Sequence, residues 1–155
     1  MGNILREKKT ELDFFPTCSK ETWKKRQELL GRVRRFFEQR SVLEVETPVL
    51  SHACGTDPNL DYFKTQGAQT RYLMTSPEFH LKRLLASGFG DVYAIARSFR
   101  EDETGERHNP EFTMIEWYRV GMSMENLMTE VEELCSEILN LRVTARRTRY
   151  DEAFM

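Results

Sequence analysis

The sequence has few cysteines, no long apolar run and no excess of basic residues. Its three cysteines, Cys18, Cys54 and Cys135, form no Cys-x-x-Cys pair, which argues against structural zinc and a disulfide framework. No apolar stretch approaches the roughly 20 residues that span a bilayer, and none near the N-terminus resembles a secretory signal. A net charge of -2 gives no general attraction to nucleic acid. We therefore expect a cytoplasmic protein with reduced thiols and no membrane partner.

Periodicity divides the chain into an N-terminal arm and one domain. Residues 1–18 show no repeating pattern, whereas residues 19–155 are long enough to form one core. Ser19 is a suitable N-cap for a first helix. Apolar residues then recur at helical spacing and predict a buried stripe, which consists of Trp23, Leu30, Val33 and Phe37.

Two alternating segments predict a pair of antiparallel strands. They run from Val92 to Arg100 and from Phe112 to Tyr118, and the polar loop between them contains the turn signal Asn109-Pro110. Because successive side chains of a strand point to opposite faces, the second strand has one apolar face and one half-polar face. The half-polar face consists of Phe112, Met114, Glu116 and Tyr118, and it indicates the wall of a pocket.

This segment, about 92–119, resembles motif 2 of the class II aminoacyl-tRNA synthetases. An Arg ends the first strand at Arg100, and His108 stands four residues before Phe112. The resemblance implies that Arg100 is the catalytic residue and contacts both the α-phosphate of ATP and the substrate carboxylate, for which its planar fork of donors is suited. It further implies that Phe112 stacks on adenine, that Asn109 contacts adenine and that His108 contacts the triphosphate.

The start of the motif 2 loop departs from the family pattern of Arg, any residue, then Glu. This chain reads Arg100-Glu101-Asp102-Glu103, so either Asp102 or Glu103 fills the acidic position. By resemblance this segment, including Glu101, contacts the nucleotide or helps to hold Mg²⁺. Without the resemblance, the triplet would be interpreted as a solvated acidic loop.

Residues of about 32–50 resemble motif 1, a long helix that leads into a strand and forms the dimer interface of the family. The matching stretch extends from Arg34 to Pro48. Ser41 stands where the family commonly has Gly, which relaxes the turn between helix and strand, so the geometry of that turn is less certain. The resemblance implies a homodimer formed through motif 1.

The segment from Thr75 to Leu84 resembles the part of the family that holds the amino acid. Ser76 and Pro77 form an N-cap and first-turn pair for a helix, and Glu78 follows in the first turn, where it could simply complement the helix dipole. The resemblance makes Glu78 the ligand of the substrate ammonium. His80 and Lys82 on this helix are interpreted as structural or exposed. The substrate-binding set implied by resemblance is Ser76, Pro77, Glu78, Glu116 and Tyr118.

The amino-acid sequence of the second strand narrows the resemblance to one subgroup of the family. Residues 108–114 are typical of the lysine subgroup, and Glu116-Trp117-Tyr118-Arg119 resembles the paralogues of lysyl-tRNA synthetase that modify elongation factor P. The resemblance implies that the protein activates (R)-β-lysine or lysine with ATP and Mg²⁺ and transfers the aminoacyl group to a lysine of elongation factor P. Because only a short arm precedes motif 1, there is no room for an anticodon-binding domain, and tRNA is not expected as a partner.

The expected fold is α+β, a partial class II synthetase core with an antiparallel sheet flanked by helices. Nothing after residue 119 matches motif 3, and the chain as given ends at Met155, so we expect the isolated chain to be inactive. No metal site is assigned to the chain itself. Two alternatives stay open at this point: a fragment of a lysyl-tRNA synthetase, and a non-catalytic truncated paralogue that acts by dimerisation.

Overall fold

The computed structural model describes residues 16–101 and 104–154, and these ranges contain four helices and five strands. In chain order they are α1 (Lys20–Glu38), β1 (Leu43–Glu44), β2 (Leu50–Ser51), β3 (Tyr72–Leu73), α2 (Glu78–Ala86), β4 (Val92–Phe99), β5 (Glu111–Tyr118), α3 (Met124–Leu139) and α4 (Tyr150–Ala153). The α+β class is confirmed. Most of the expected arm, 1–18, lies outside the described residues, so its boundary stays a prediction. Within the described ranges, none of the helices has the length and apolarity needed to cross a membrane.

The main sheet has the strand order β1, β4, β5. Strands β4 and β5 pair antiparallel from Val92 opposite Tyr118 to Phe99 opposite Glu111, which confirms the predicted hairpin. The sheet as a whole is mixed, because β1 pairs parallel to β4, with Leu43 opposite Val92. The long crossover between β1 and β4 allows the chain to re-enter the sheet in the same direction. Strands β2 and β3 form a separate antiparallel pair.

One face of the sheet packs against α1 and α3. Phe37 is fully buried and its ring stacks on Tyr93 with a centroid separation of 4.5 Å. Ile115 and Trp117 pack against the same cluster, as expected for the apolar face of β5. The predicted stripe on α1 is wrong at Trp23, which is 50% exposed, because the buried residues of α1 all lie in its C-terminal half. The N-cap prediction is confirmed, since the Ser19 side chain accepts a hydrogen bond from the backbone N–H of Thr22.

The turn from α1 into β1 forms even though Ser41 replaces the family's Gly. Ser41 has a φ of 55°, the left-handed region that glycine enters most easily. The backbone N–H of Ser41 donates to the carbonyl of Glu38 and that of Val42 donates to the carbonyl of Phe37, both at 3.0 Å. This is the hydrogen-bond pattern of a Schellman motif, which ends a helix and redirects the chain.

The opposite face of the sheet carries α2. Leu81 of α2 is fully buried against Val92 and Ala94 of β4, and Tyr118 of β5 packs on the same cluster. The helix begins one residue later than predicted, with Pro77 and not Ser76 at the N-cap position, although the Ser76 hydroxyl still accepts a hydrogen bond of 3.2 Å from the backbone N–H of Glu78. This packing places the first turn of α2 beside the half-polar face of β5.

Candidate active site

An open cavity of about 680 Å³ lies between α2, the β4–β5 hairpin and the segment of residues 55–62. Four of the site residues predicted from sequence line it: Ser76 and Glu78 from the start of α2, Arg100 from the end of β4, and Glu116 from β5. The full lining consists of Gly55, Thr56, Asp57, Leu60, Tyr62, Met74, Thr75, Ser76, Glu78, Phe79, Lys82, Arg100, Met114 and Glu116. Three of the five predicted amino-acid ligands and the predicted catalytic Arg therefore face one space.

The Glu116 carboxylate has a raised pKa. Burial raises its pKa, a hydrogen bond from the Tyr118 hydroxyl opposes that rise, and the nearby charge of Glu78 adds to it. The Tyr118 hydroxyl donates to Glu116 Oε1 at 2.8 Å. Burial and the Glu116 charge in turn raise the pKa of Tyr118, so its hydroxyl stays protonated and remains a donor. A partly buried carboxylate of this kind is suited to receive a cation.

Two predicted substrate residues contribute without lining the cavity. Tyr118 packs against the apolar cluster around Leu81 and acts on the cavity through its hydrogen bond to Glu116. Pro77 is buried under the first turn of α2, where its missing N–H leaves no unpaired donor. Of the two, Tyr118 contacts a side chain that lines the cavity, that of Glu116.

Arg100 connects the cavity to the aromatic ring of Phe112. The guanidinium carbon lies 5.2 Å from the centroid of that ring, within the range of a cation–π contact. The backbone N–H of Arg100 donates to the carbonyl of Pro110 at 2.9 Å and so extends the strand pair by one residue. The N–H of Glu101 donates to the carbonyl of Asp61 at 3.3 Å, which ties the start of the motif 2 loop to the segment of residues 55–62.

Three further residues of the predicted nucleotide set do not face the cavity. Glu101, His108 and Asn109 are exposed and do not line the cavity, and the loop is closed by backbone hydrogen bonds between Gly105 and His108 of 3.1 and 3.3 Å. Asp102 and Glu103 lie outside the described residues. The nucleotide contacts assigned to these side chains stay predictions. Among the described residues, no group of three or more His, Cys, Asp or Glu side chains is placed to hold a metal ion.

Sequence reasoning missed two parts of the cavity. The segment of residues 55–62 is mostly turn and polar residues without periodicity, and a pattern of that kind gives no indication of what it faces. Lys82 is exposed, as interpreted from the sequence, but it also lines the cavity and its ammonium forms an ion pair with Glu78 Oε1 at 2.5 Å, which was not predicted. The spacing of four residues between Glu78 and Lys82 was the available signal, because such residues are neighbours on a helix.

Comparison with known proteins supports the resemblance noted in the sequence. A family model described as tRNA synthetases class II (D, K and N) matches residues 3–153. The chain belongs to this class II synthetase family. The match includes both the motif 1 helix α1 and the motif 2 hairpin, so family membership rests on nearly the whole sequence.

The chain is also similar to curated proteins named elongation factor P–(R)-β-lysine ligase. It is 49% identical over 152 residues to that of Vibrio vulnificus and 48% identical over 153 residues to that of Vibrio cholerae, with 94% of this chain and 47% of each relative covered. The relative from Yersinia enterocolitica is 50% identical over 138 residues, which is 84% of this chain and 42% of that protein. The chain thus spans about half the length of the curated relatives it matches.

Proposed function

We propose that the native protein carrying this sequence activates (R)-β-lysine or lysine with ATP and transfers the aminoacyl group to a lysine of elongation factor P. The structural observation that carries the proposal is the convergence of Glu78, Arg100 and Glu116 on one cavity. The names of the relatives support the choice of amino acid and acceptor.

The charges of the cavity match those of a diamino acid. Lysine and β-lysine each carry two ammonium groups and one carboxylate, a net charge of +1. The charged side chains that line the cavity are the carboxylates Asp57, Glu78 and Glu116 and the cations Lys82 and Arg100, so three negative and two positive charges give the opposite net charge of -1. A neutral amino acid would leave one partly buried carboxylate without a cation, which costs binding free energy. Glu78 receives one ammonium and Glu116 the other, while Arg100 receives the carboxylate in its fork of donors.

Activation requires the carboxylate of the amino acid to attack the α-phosphorus of ATP, with pyrophosphate as the leaving group. In this proposal Arg100 contacts both anions, and its charge offsets the negative charge that develops as they approach. The ring of Phe112 beside Arg100 offers a flat apolar surface for adenine. Glu101 with Asp102 or Glu103 would hold Mg²⁺, and His108 and Asn109 would contact the nucleotide from the loop.

In the second half-reaction, the ε-amine of the acceptor lysine attacks the activated carbonyl carbon, an amide forms and AMP leaves. The chain supplies orientation for this step and forms no covalent bond to the substrate. For the homodimer, the proposed interface is the motif 1 region, where large apolar side chains in and after β1 are exposed. They are Leu43 (50%), Val49 (40%) and Leu50 (46%).

The proposal is tested by ATP–pyrophosphate exchange with the native protein, with (R)-β-lysine, L-lysine and a neutral amino acid of equal length such as norleucine. We expect exchange with both lysines and none with norleucine. Absence of exchange with either lysine would contradict the proposal and favour the non-catalytic alternative. Purified elongation factor P and lysine tRNA then serve as competing acceptors, and charging of the tRNA alone would indicate a lysyl-tRNA synthetase.

A further inference from the structure

We propose that the Lys82 ammonium competes with the substrate in the amino-acid site. Lys82 pairs with the Glu78 carboxylate until the substrate ammonium displaces it. This inference rests on the proposed function, because it concerns the same cavity. It assigns to Lys82 a role in setting affinity for the amine. Lys82 does not contact the reacting atoms in this account.

The contact between the two residues follows from their places on α2. Glu78 is in the first turn and Lys82 is one turn later, so their side chains lie on the same face, with Glu on the N-terminal side in the more favourable order. The Lys82 ammonium donates to Glu78 Oε1 at 2.5 Å. The carboxylate that is expected to receive the substrate ammonium therefore already has an ammonium partner.

A second Glu–Lys pair with the same spacing, on α1, shows how the Lys82–Glu78 pair differs from an ordinary surface pair. Lys25 and Glu21 on α1 have the same spacing and a separation of 2.8 Å, but both side chains are more than 70% exposed and neither lines the cavity. Lys82 and Glu78 are 54% and 44% exposed, and both line the cavity together with Glu116. At an ordinary surface pair only solvent competes with the lysine for the carboxylate. The Lys82–Glu78 pair instead faces the space where an amine would bind.

The effect of both charges on Glu116 supports the placement of the Lys82–Glu78 pair in the amino-acid site. The charge of Glu78 raises the pKa of Glu116 and the charge of Lys82 lowers it, so both groups act across the cavity on the second carboxylate. When an amine binds, its ammonium replaces that of Lys82 at Glu78, and the Lys82 side chain moves to solvent, which its half-exposed position allows. The cost of breaking the pair reduces the affinity for every ligand that uses Glu78, by the same factor in the ground state and the transition state.

The test compares Lys82→Met, Lys82→Arg and the matched control Lys25→Met in the native protein. Calorimetric titration with L-lysine gives the dissociation constant, and pyrophosphate exchange gives kcat and the KM values for lysine and ATP. Loss of a partly exposed ion pair corresponds to about a two- to fivefold change in affinity. We expect Lys82→Met to lower the Kd and KM for lysine by that factor, with KM for ATP and kcat unchanged. Lys82→Arg and Lys25→Met should resemble the parent protein.

Three results would overturn the inference. Lysine binding that Lys82→Met leaves unchanged, or weakens, would contradict the inference alone and leave the proposed function standing. A parallel change in KM for ATP would indicate a structural role for Lys82 instead. If lysine bound to neither the parent protein nor Lys82→Met, the proposed function and the inference would fail together.

Discussion

The indole Nε1 of Trp117 donates a hydrogen bond of 3.0 Å to Oε2 of Glu130, which connects β5 to the middle of α3. The other oxygen of this carboxylate lies 3.2 Å from Nε of Arg119, whose Nη1 lies 2.9 Å from Asp91. The side chain of Glu130 is only 5% exposed. Trp117 and Arg119 alternate with Glu116 and Tyr118 along the chain. The contacts of Trp117 and Arg119 with Glu130, here called the anchor, lie on the α3 side of the sheet and therefore fix which face β5 presents to the cavity.

Removal of the buried carboxylate should destabilise the fold. Glu130→Ala leaves the Arg119 guanidinium, 13% exposed, without its carboxylate partner on α3, and breaking a buried ion pair costs about 3 to 5 kcal/mol. Glu133→Ala is the matched control on the same helix, because Glu133 pairs with Arg40 at 2.7 Å but is 52% exposed. We expect a loss below about 1 kcal/mol for the control. Urea denaturation measures both, and equal losses would refute the role of Glu130.

This anchor also shows where sequence reasoning succeeds and where it stops. The alternation of β5 predicted which residues face the helices, and Ile115 and Trp117 do pack there. The pairing of Trp117 with Glu130 was not predictable, because period and polarity give the face of a side chain but not its partner across 13 residues of chain. From sequence alone Glu130 would be taken for a solvated residue, because only the fold places Arg119 and Arg40 beside it, at 3.2 and 3.9 Å from Oε1.

The residues of the candidate site also divide into those that the sequence predicted and those that it did not. Ser76, Glu78, Arg100 and Glu116 were predicted because family motifs mark them, and the structure places all four around one cavity. Thr56, Asp57 and Tyr62 line that cavity as well, but they come from a segment without periodicity. Which surface such a segment covers depends on tertiary contacts, such as the hydrogen bond from the N–H of Glu101 to the carbonyl of Asp61, which no local pattern encodes.

Replacement of Ser41 by Gly should stabilise the protein. The φ of 55° at Ser41 places a Cβ in the left-handed region, where it costs roughly 1 to 2 kcal/mol, and Gly relieves that cost but gains freedom in the unfolded chain. We expect a net gain of about 0.5 to 1 kcal/mol in the free energy of unfolding. Asn140→Gly, at a φ of 52°, should gain less because Asn tolerates this conformation better. A loss of stability in Ser41→Gly would contradict the assignment of strain.

Stability should depend on pH through Glu116. Its pKa is raised above the ordinary 4.5 mainly by burial, so the folded state binds this proton more tightly than the unfolded state does. The contribution of Glu116 to stability is therefore present below pH 4.5 and is lost as the pH rises through the raised pKa. Gln at this position keeps an acceptor for the Tyr118 hydroxyl but carries no charge. We expect the Tm of Glu116→Gln to exceed that of the parent at pH 7, with a smaller difference at pH 4. A difference that does not change with pH would contradict this account.

A methyl group at Gly55 should narrow the cavity without unfolding the protein. A Cβ there would lie 3.1 Å from the hydroxyl oxygen of Tyr62 and 3.5 Å from Cε2 of Phe79, and both side chains line the cavity. We expect Gly55→Ala to raise the KM for lysine and to change the free energy of unfolding by less than about 0.5 kcal/mol. Gly67→Ala, where no atom lies within 4 Å of the new Cβ, is the control and should leave KM unchanged. Equal KM values for the two variants would show that this wall does not limit the substrate.

The most direct measurement of the central claim is lysine-dependent pyrophosphate exchange by Arg100→Ala in the native protein. Arg97→Ala is the control, because Arg97 lies on the same strand, is 51% exposed and pairs with Glu111 away from the cavity. If Arg100 holds the carboxylate and the α-phosphate together, its loss should lower exchange by about two orders of magnitude or more, while Arg97→Ala retains the parent rate. A near-normal rate in Arg100→Ala would contradict the assignment of this cavity as the site of amino-acid activation.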